Sequence, residues 1–140
     1  MATLTKVYAF SENLCKAVHN LGSDTFKIAL SNTAPTTAST QWTVGNFPAP
    51  TNANGYTAGG NTVTITSCVQ SSGVTKWILV DSVFTATAGG IGPFRYAILY
   101  DDTAAQKIIG WYDYLSSITL NDTETFTVDF DGTNGCVQYA

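Results

Sequence analysis

WILVDSVFTATAGGIGPFRYAILYDDTAAQKIIGWYDY, residues 77–114, consists of three apolar runs separated by a Gly/Pro cluster and by the polar stretch DDTAAQ. Between Phe94 and Tyr100 the even positions are Phe94, Tyr96, Ile98 and Tyr100, while Ala97 and Leu99 stand among the odd ones. Neither face is polar enough for water, which is the mark of a strand covered on both sides. Trp77 to Phe84 and Ile108 to Tyr114 share its aromatic and β-branched character, suited to a half-buried pleated surface. The stretch predicts a three-stranded antiparallel centre, joined at Ala88–Pro93 and again at Asp101–Ala105.

Outward from that centre, Thr25 to Ser31 alternates, with Phe26, Ile28 and Leu30 on one face and Lys27, Ala29 and Ser31 on a face expected to be solvated. Asn61 to Gln70 alternates as well, placing Val63, Ile65 and Val69 together, and Gln70–Gly73 makes the turn into Trp77. Beyond Tyr114, Ser116-Ser117 is expected to break the chain. Glu124 to Asp131 then forms a one-sided strand with Phe126, Val128 and Phe130 inward. Asp131–Gly135 turns the chain, and Cys136–Tyr139 closes it. Only the start departs from this pattern. After a short run at Thr3–Ala9, Ser11 and Glu12 suit a helix N-terminus, and Leu14, Ala17, Val18 and Leu21 recur at helical spacing before Gly22. A short helix over 12–21 follows, with His19 on it as a partly exposed surface residue.

Residues 32–60 lack periodicity and are rich in Thr, Ala, Asn and Gly, and Pro35, Pro48 and Pro50 forbid regular ladders. Trp42, Phe47 and Tyr56 are spaced along this segment like anchors, which a disordered linker would lack. Two readings stand: the three fold back onto their own sheet, or the segment is an arm that docks on a partner, its aromatics filling pockets there. The elements sum to one domain, 1–140, of mainly β class. Its expected form is an antiparallel β-sandwich or flattened barrel with one short N-terminal helix and a long loop or arm at 32–60.

The 140 residues can bury a core without metal or disulfide. Charged residues make up only 11% of the chain, so Thr, Ser, Asn and Gly supply the surface. Six Lys and Arg against ten Asp and Glu leave nothing to neutralise phosphates, so no nucleic-acid partner is expected. The start has no continuous apolar core of a signal peptide, no run is long enough for a membrane helix, and no membrane partner is expected. Cys15, Cys68 and Cys136 fit no metal-ligand spacing and are expected as buried free thiols.

Nucleophilic hydrolysis needs a base beside Ser or Cys, and the single His lies far from any strained Ser turn. Asp101, Asp102, Asp113, Asp129 and Asp131 offer paired acids, yet their places match turns and strand edges equally well. Asp129–Gly135 has oxygen ligands at alternate positions but no distal bidentate Glu, so a hairpin turn accounts for it. The residues predict no catalytic group, no metal and no cofactor.

The runs Ala58–Thr64, Trp77–Asp102, Ile109–Tyr114, Ser117–Leu120 and Glu124–Phe130 together resemble a family of small virion structural proteins of tailed bacteriophages, the capsid decoration or cement proteins. The resemblance covers most of Thr25 to Ala140. It implies a non-enzymatic protein, made in the host cytoplasm and carried on the virion. Such a protein clamps subunits of the major capsid protein as a homo-oligomer, a trimer or dimer, with Trp42, Phe47 and Tyr56 as the partner-binding residues. A tail or tail-fibre component that binds carbohydrate through exposed Trp and Tyr is the alternative.

Overall fold

The alternation and turn chemistry build ten strands and one helix among residues 2–140, the part that the computed structural model describes. In chain order they are β1 (Thr5–Lys6), α1 (Ala9–Cys15), β2 (Phe26–Ser31), β3 (Asn61–Val63), β4 (Ile65–Ser71) and β5 (Val74–Leu79). There follow β6 (Ser82–Thr85), β7 (Ile91–Asp101), β8 (Lys107–Leu120), β9 (Thr125–Val128) and β10 (Val137–Tyr139). Every strand pairing is antiparallel, in a five-stranded sheet β1-β8-β7-β2-β3, a three-stranded sheet β10-β5-β4 and a two-stranded sheet β6-β9. The mainly β, sandwich-like architecture is the one expected.

β7 lies at the middle of the large sheet and is buried on both faces from Tyr96 to Asp101, as its two apolar faces require. Its hairpin with β8 closes where Asp101 pairs with Lys107. The third member of the expected centre is different. Val80-Asp81 splits the run 77–84 into β5 and β6, which belong to separate sheets, and the second neighbour of β7 is β2. Asp81 holds the split by accepting the Phe130 N–H at 2.8 Å. Trp77 remains pivotal from its new place. Its ring meets Phe26 of β2 edge-on at 4.8 Å and so joins the two larger sheets.

Four further expectations are corrected. Ala29 and Ser31 of β2 are fully buried, because residues 32–60 cover the face that was expected to be solvated. Asn61–Gln70 breaks at Thr64, and one extra residue in β4 opposite β5 (Ile65 faces Leu79, Ser67 faces Ile78) inverts the alternation. Val69 is thereby turned outward. Ser116-Ser117 does not end a strand, since β8 runs through it to Leu120. The helix spans Ala9–Cys15 and not 12–21; Tyr8 precedes it without a side-chain cap, and Ser11 and Glu12 lie inside it. Buried Val7 and Phe10 anchor the earlier start, and left-handed Ala17 (φ 56°), not Gly22, carries the stop. No helix among the described residues is long and apolar enough to cross a membrane.

Candidate functional site

Tyr56, expected as an anchor for a partner, is buried in the chain's own core, and so is Phe47. The Trp42 indole stacks face to face on Tyr100, with centroids 4.9 Å apart and planes 5° apart. Tyr56 has a backbone task besides. β3 pairs with β2 only as far as Ile28, so the next outward N–H and C=O of β2, those of Leu30, would be orphans in the core. The Tyr56 hydroxyl accepts the Leu30 N–H at 2.8 Å and donates to the Leu30 carbonyl at 3.3 Å, standing in for the missing strand. Two glycines let the segment lie this close. A Cβ at left-handed Gly60 would collide with the Ile28 carbonyl, and one at Gly55 with that of Thr85. Phe47 and Tyr56, expected to dock on a partner, are therefore committed to the chain's own core, and Trp42 is partly buried against it.

The ionisable groups are largely engaged in structure. Asp101 and His19 form a buried pair, Nδ1 to Oδ2 at 2.8 Å, with both side chains closed to solvent. His19 is thus interior, correcting its expected surface place. Asp101 also accepts the Ala104 N–H at 3.0 Å, and burial pushes its carboxyl up despite the His19 hydrogen bond. Asp122 and Asp131 cap turns at Ala88 and at Thr133–Asn134, and Asp102 meets Lys27. Asp113 forms a fork with Arg95 at 2.7 and 2.9 Å. No cluster of metal-ligating residues exists among the described residues.

A concavity of about 780 Å³ is a mostly apolar groove between the α1 end and the three-stranded sheet, lined by Leu14, Cys15, Leu21, Cys68 and Tyr139. All three cysteines are free, and Cys15 is exposed, contrary to the expected burial. Burial raises the Cys68 thiol, and burial together with Cys15 and Cys68 raises the Tyr139 phenol. These groups favour their neutral forms, whereas a nucleophilic thiol needs its pKa lowered.

The surface offers a different feature at the bulge of β8. Tyr96 faces Asp113 and Phe94 faces Ile118, so two steps along β7 stand against five along β8. The extra residues loop outward. Leu115 at their tip is 79% exposed and left-handed, with φ 69°. A branched apolar residue in that region is disfavoured both by its backbone and by its contact with water. Its conformation is held in place: the Leu115 N–H donates to Asp113 Oδ1 at 2.8 Å, and Arg95 fixes that carboxylate. Ser117 Oγ bonds Asn32 Oδ1 at 2.9 Å and ties down the other side. A fork of charge-assisted bonds thus maintains a costly local conformation around a projecting apolar side chain.

The same fork makes the projection sensitive to acid. The Arg95 hydrogen bonds hold the Asp113 carboxyl below its usual value. A depressed carboxyl contributes order above its unfolded value and loses that contribution as pH falls through the folded one. The Leu115 amide is expected to be protected from hydrogen exchange at pH 6 and to lose protection below about pH 4. In Arg95→Ala the loss should move to higher pH; a transition unchanged by that substitution rejects the assignment.

Comparison with protein families, with curated proteins and with solved structures returns no match. The bulge was hidden in the sequence behind Ser116-Ser117. The polar interruption was visible there, but it has the same signature whether a strand ends or loops out and resumes.

Proposed function

We propose that the chain is a non-enzymatic structural protein of a bacteriophage virion, a capsid decoration or cement protein that clamps neighbouring major capsid protein subunits. The observation that carries it is Leu115, an apolar side chain held out from a rigid sheet by Arg95 and Asp113. Support also comes from the resemblance of the central strands to that family. A third support is the state of the polar groups, which cap turns, bridge strands or pair in the core. Weak contacts of this kind suffice on a shell, because many sites are offered together and the subunits that carry them are already assembled.

Removing the projection is the direct test. Leu115→Ser should leave the fold intact, since the side chain is mostly exposed to solvent, and should weaken attachment to empty capsids by about tenfold or more per site. Wild-type protein should raise the heat tolerance of those capsids, and Leu115→Ser should not. Absence of the protein from purified particles, or attachment unaffected by Leu115→Ser, rejects the proposal. The tail-fibre alternative needs exposed aromatic platforms for sugar rings. Trp77 and Trp111 are buried and Trp42 is stacked on Tyr100, so Tyr8 is the most exposed ring available to it.

A further inference from the structure

We propose that two copies of the chain pair through the free edge of β4, antiparallel, about a two-fold axis at Val69. β4 and β5 are joined by the two-residue turn Ser72-Gly73, both residues left-handed, with Ser71 facing Val74. In such a hairpin the closing pair exchanges hydrogen bonds, and pairs alternate from there. Ser71 and Val69 therefore bond inward to β5. Gln70 and Cys68, which face Thr75 and Trp77, aim their N–H and C=O groups away from it. The other side of β5 agrees: the Trp77 carbonyl receives the Cys136 N–H at 2.9 Å, on the side of β10. Cys68 and Gln70 thus present two donors and two acceptors along an edge to which no strand is paired among the described residues.

This edge is longer than the others. β1 has two residues and includes Lys6, β3 and β10 have three each, and β6 and β9 four each, whereas β4 has seven with neither charge nor proline. Long, uncharged edges recruit another strand unless they are guarded. The register is set by the flat segment itself. The bulge at Thr66 and the turn at Ser72 leave Ser67–Ser71 straight, and its middle residue is Val69. A two-fold axis there places Cys68 opposite Gln70 of the second copy and Gln70 opposite its Cys68, so all the outward groups are satisfied at once. It also sets the two Val69 side chains against each other at a close, non-hydrogen-bonded pair. Val69 is 64% exposed in the single chain, and this contact covers it. A second copy fits because the edge is self-complementary: neutral side chains meet neutral side chains, with no repelling pair.

The pairing is independent of capsid attachment, since either can fail without the other. Sedimentation of the full chain at about 100 µM is the measurement. A dimer is expected. Val69→Lys puts like charges face to face at the axis and should raise the dissociation constant by about tenfold or more. Gln70→Pro removes one outward N–H per copy from an edge position that tolerates proline in the monomer, and should do the same. A monomeric wild type overturns the proposal, as does a dimer that survives Val69→Lys or a folded Gln70→Pro dimer. If Gln70→Pro does not fold, Val69→Lys alone decides.

Discussion

Tyr56→Phe, a change of one oxygen atom, is expected to destabilise the fold by about 3 kcal/mol, because a buried donor or acceptor left without a partner costs about 1–3 kcal/mol. Both orphans are created together: the Leu30 N–H and the Leu30 carbonyl lose their shared partner in a residue with no solvent exposure. The ring itself stays, packed 5.7 Å from Phe84, so no cavity forms to confuse the comparison. A midpoint fall of roughly 10 °C follows from the usual entropy of unfolding for a domain of this size. Tyr56→Leu should cost more, by adding a packing defect. Burial also pushes the Tyr56 phenol up to about 12, so the folded chain resists its ionisation. The contribution of this phenol to stability should be level below about pH 10, its ordinary value, and be lost as pH rises from there toward 12. A Tyr56→Phe variant as stable as wild type in chemical denaturation would show that the hydroxyl is dispensable, and that the 32–60 segment is not clasped as described.

His19→Ala is expected to cost about 3 kcal/mol at neutral pH, because a buried acceptor that loses its hydrogen-bond donor costs about 1–3 kcal/mol, and more when it carries charge. It leaves Asp101 without its 2.8 Å donor in a place closed to water, beside the Ala104 N–H and the Asp24 carboxyl. The pH dependence has a definite sign. Burial already raises the Asp101 carboxyl, and the His19 hydrogen bond opposes that rise, so deleting His19 raises it further. A carboxyl raised in the folded state favours folding below its ordinary value and loses that contribution as pH climbs through the raised one. The variant should therefore recover relative to wild type in mild acid. Asp101→Asn should be milder at neutral pH, because its amide oxygen can still accept from Ala104 and no charge is buried. Equal losses for His19→Ala at pH 4 and pH 7 would exclude a buried carboxylate as the cause.

The elements whose residues alternate without interruption were legible. β7 was readable from its two apolar faces, the β7–β8 hairpin from the polar DDTAAQ between its strands, and β9 from Phe126, Val128 and Phe130. The Leu115 projection was not. Leu115 belongs to a stretch whose polarity matched a strand end, and only its pairing with β7 exposes the bulge. His19 was misplaced for a related reason: its one partner, Asp101, lies far along the chain, so no local pattern announces the pair. Trp42, Phe47 and Tyr56 stood out as aromatics in a segment without periodicity, but their spacing carried no information on whether the surface they meet is their own or another's.

The sequence by itself determined that this is a mainly β, low-charge domain with a long aromatic-studded segment, because periodicity, turn residues and composition act within a few residues of one another. Strand partners, the inversion of Val69 by one extra residue, the inward clasp of Tyr56 and the outward set of Leu115 were decided only in three dimensions. The strand partners and the Tyr56 clasp depend on hydrogen-bonding groups that one segment leaves unsatisfied and a distant segment meets, the Leu115 set on Arg95 fixing Asp113 across the hairpin, and the Val69 inversion on the register of β4 against β5. Such a vacancy at Leu30, or its filling by Tyr56, exists only once β2 and β3 have paired.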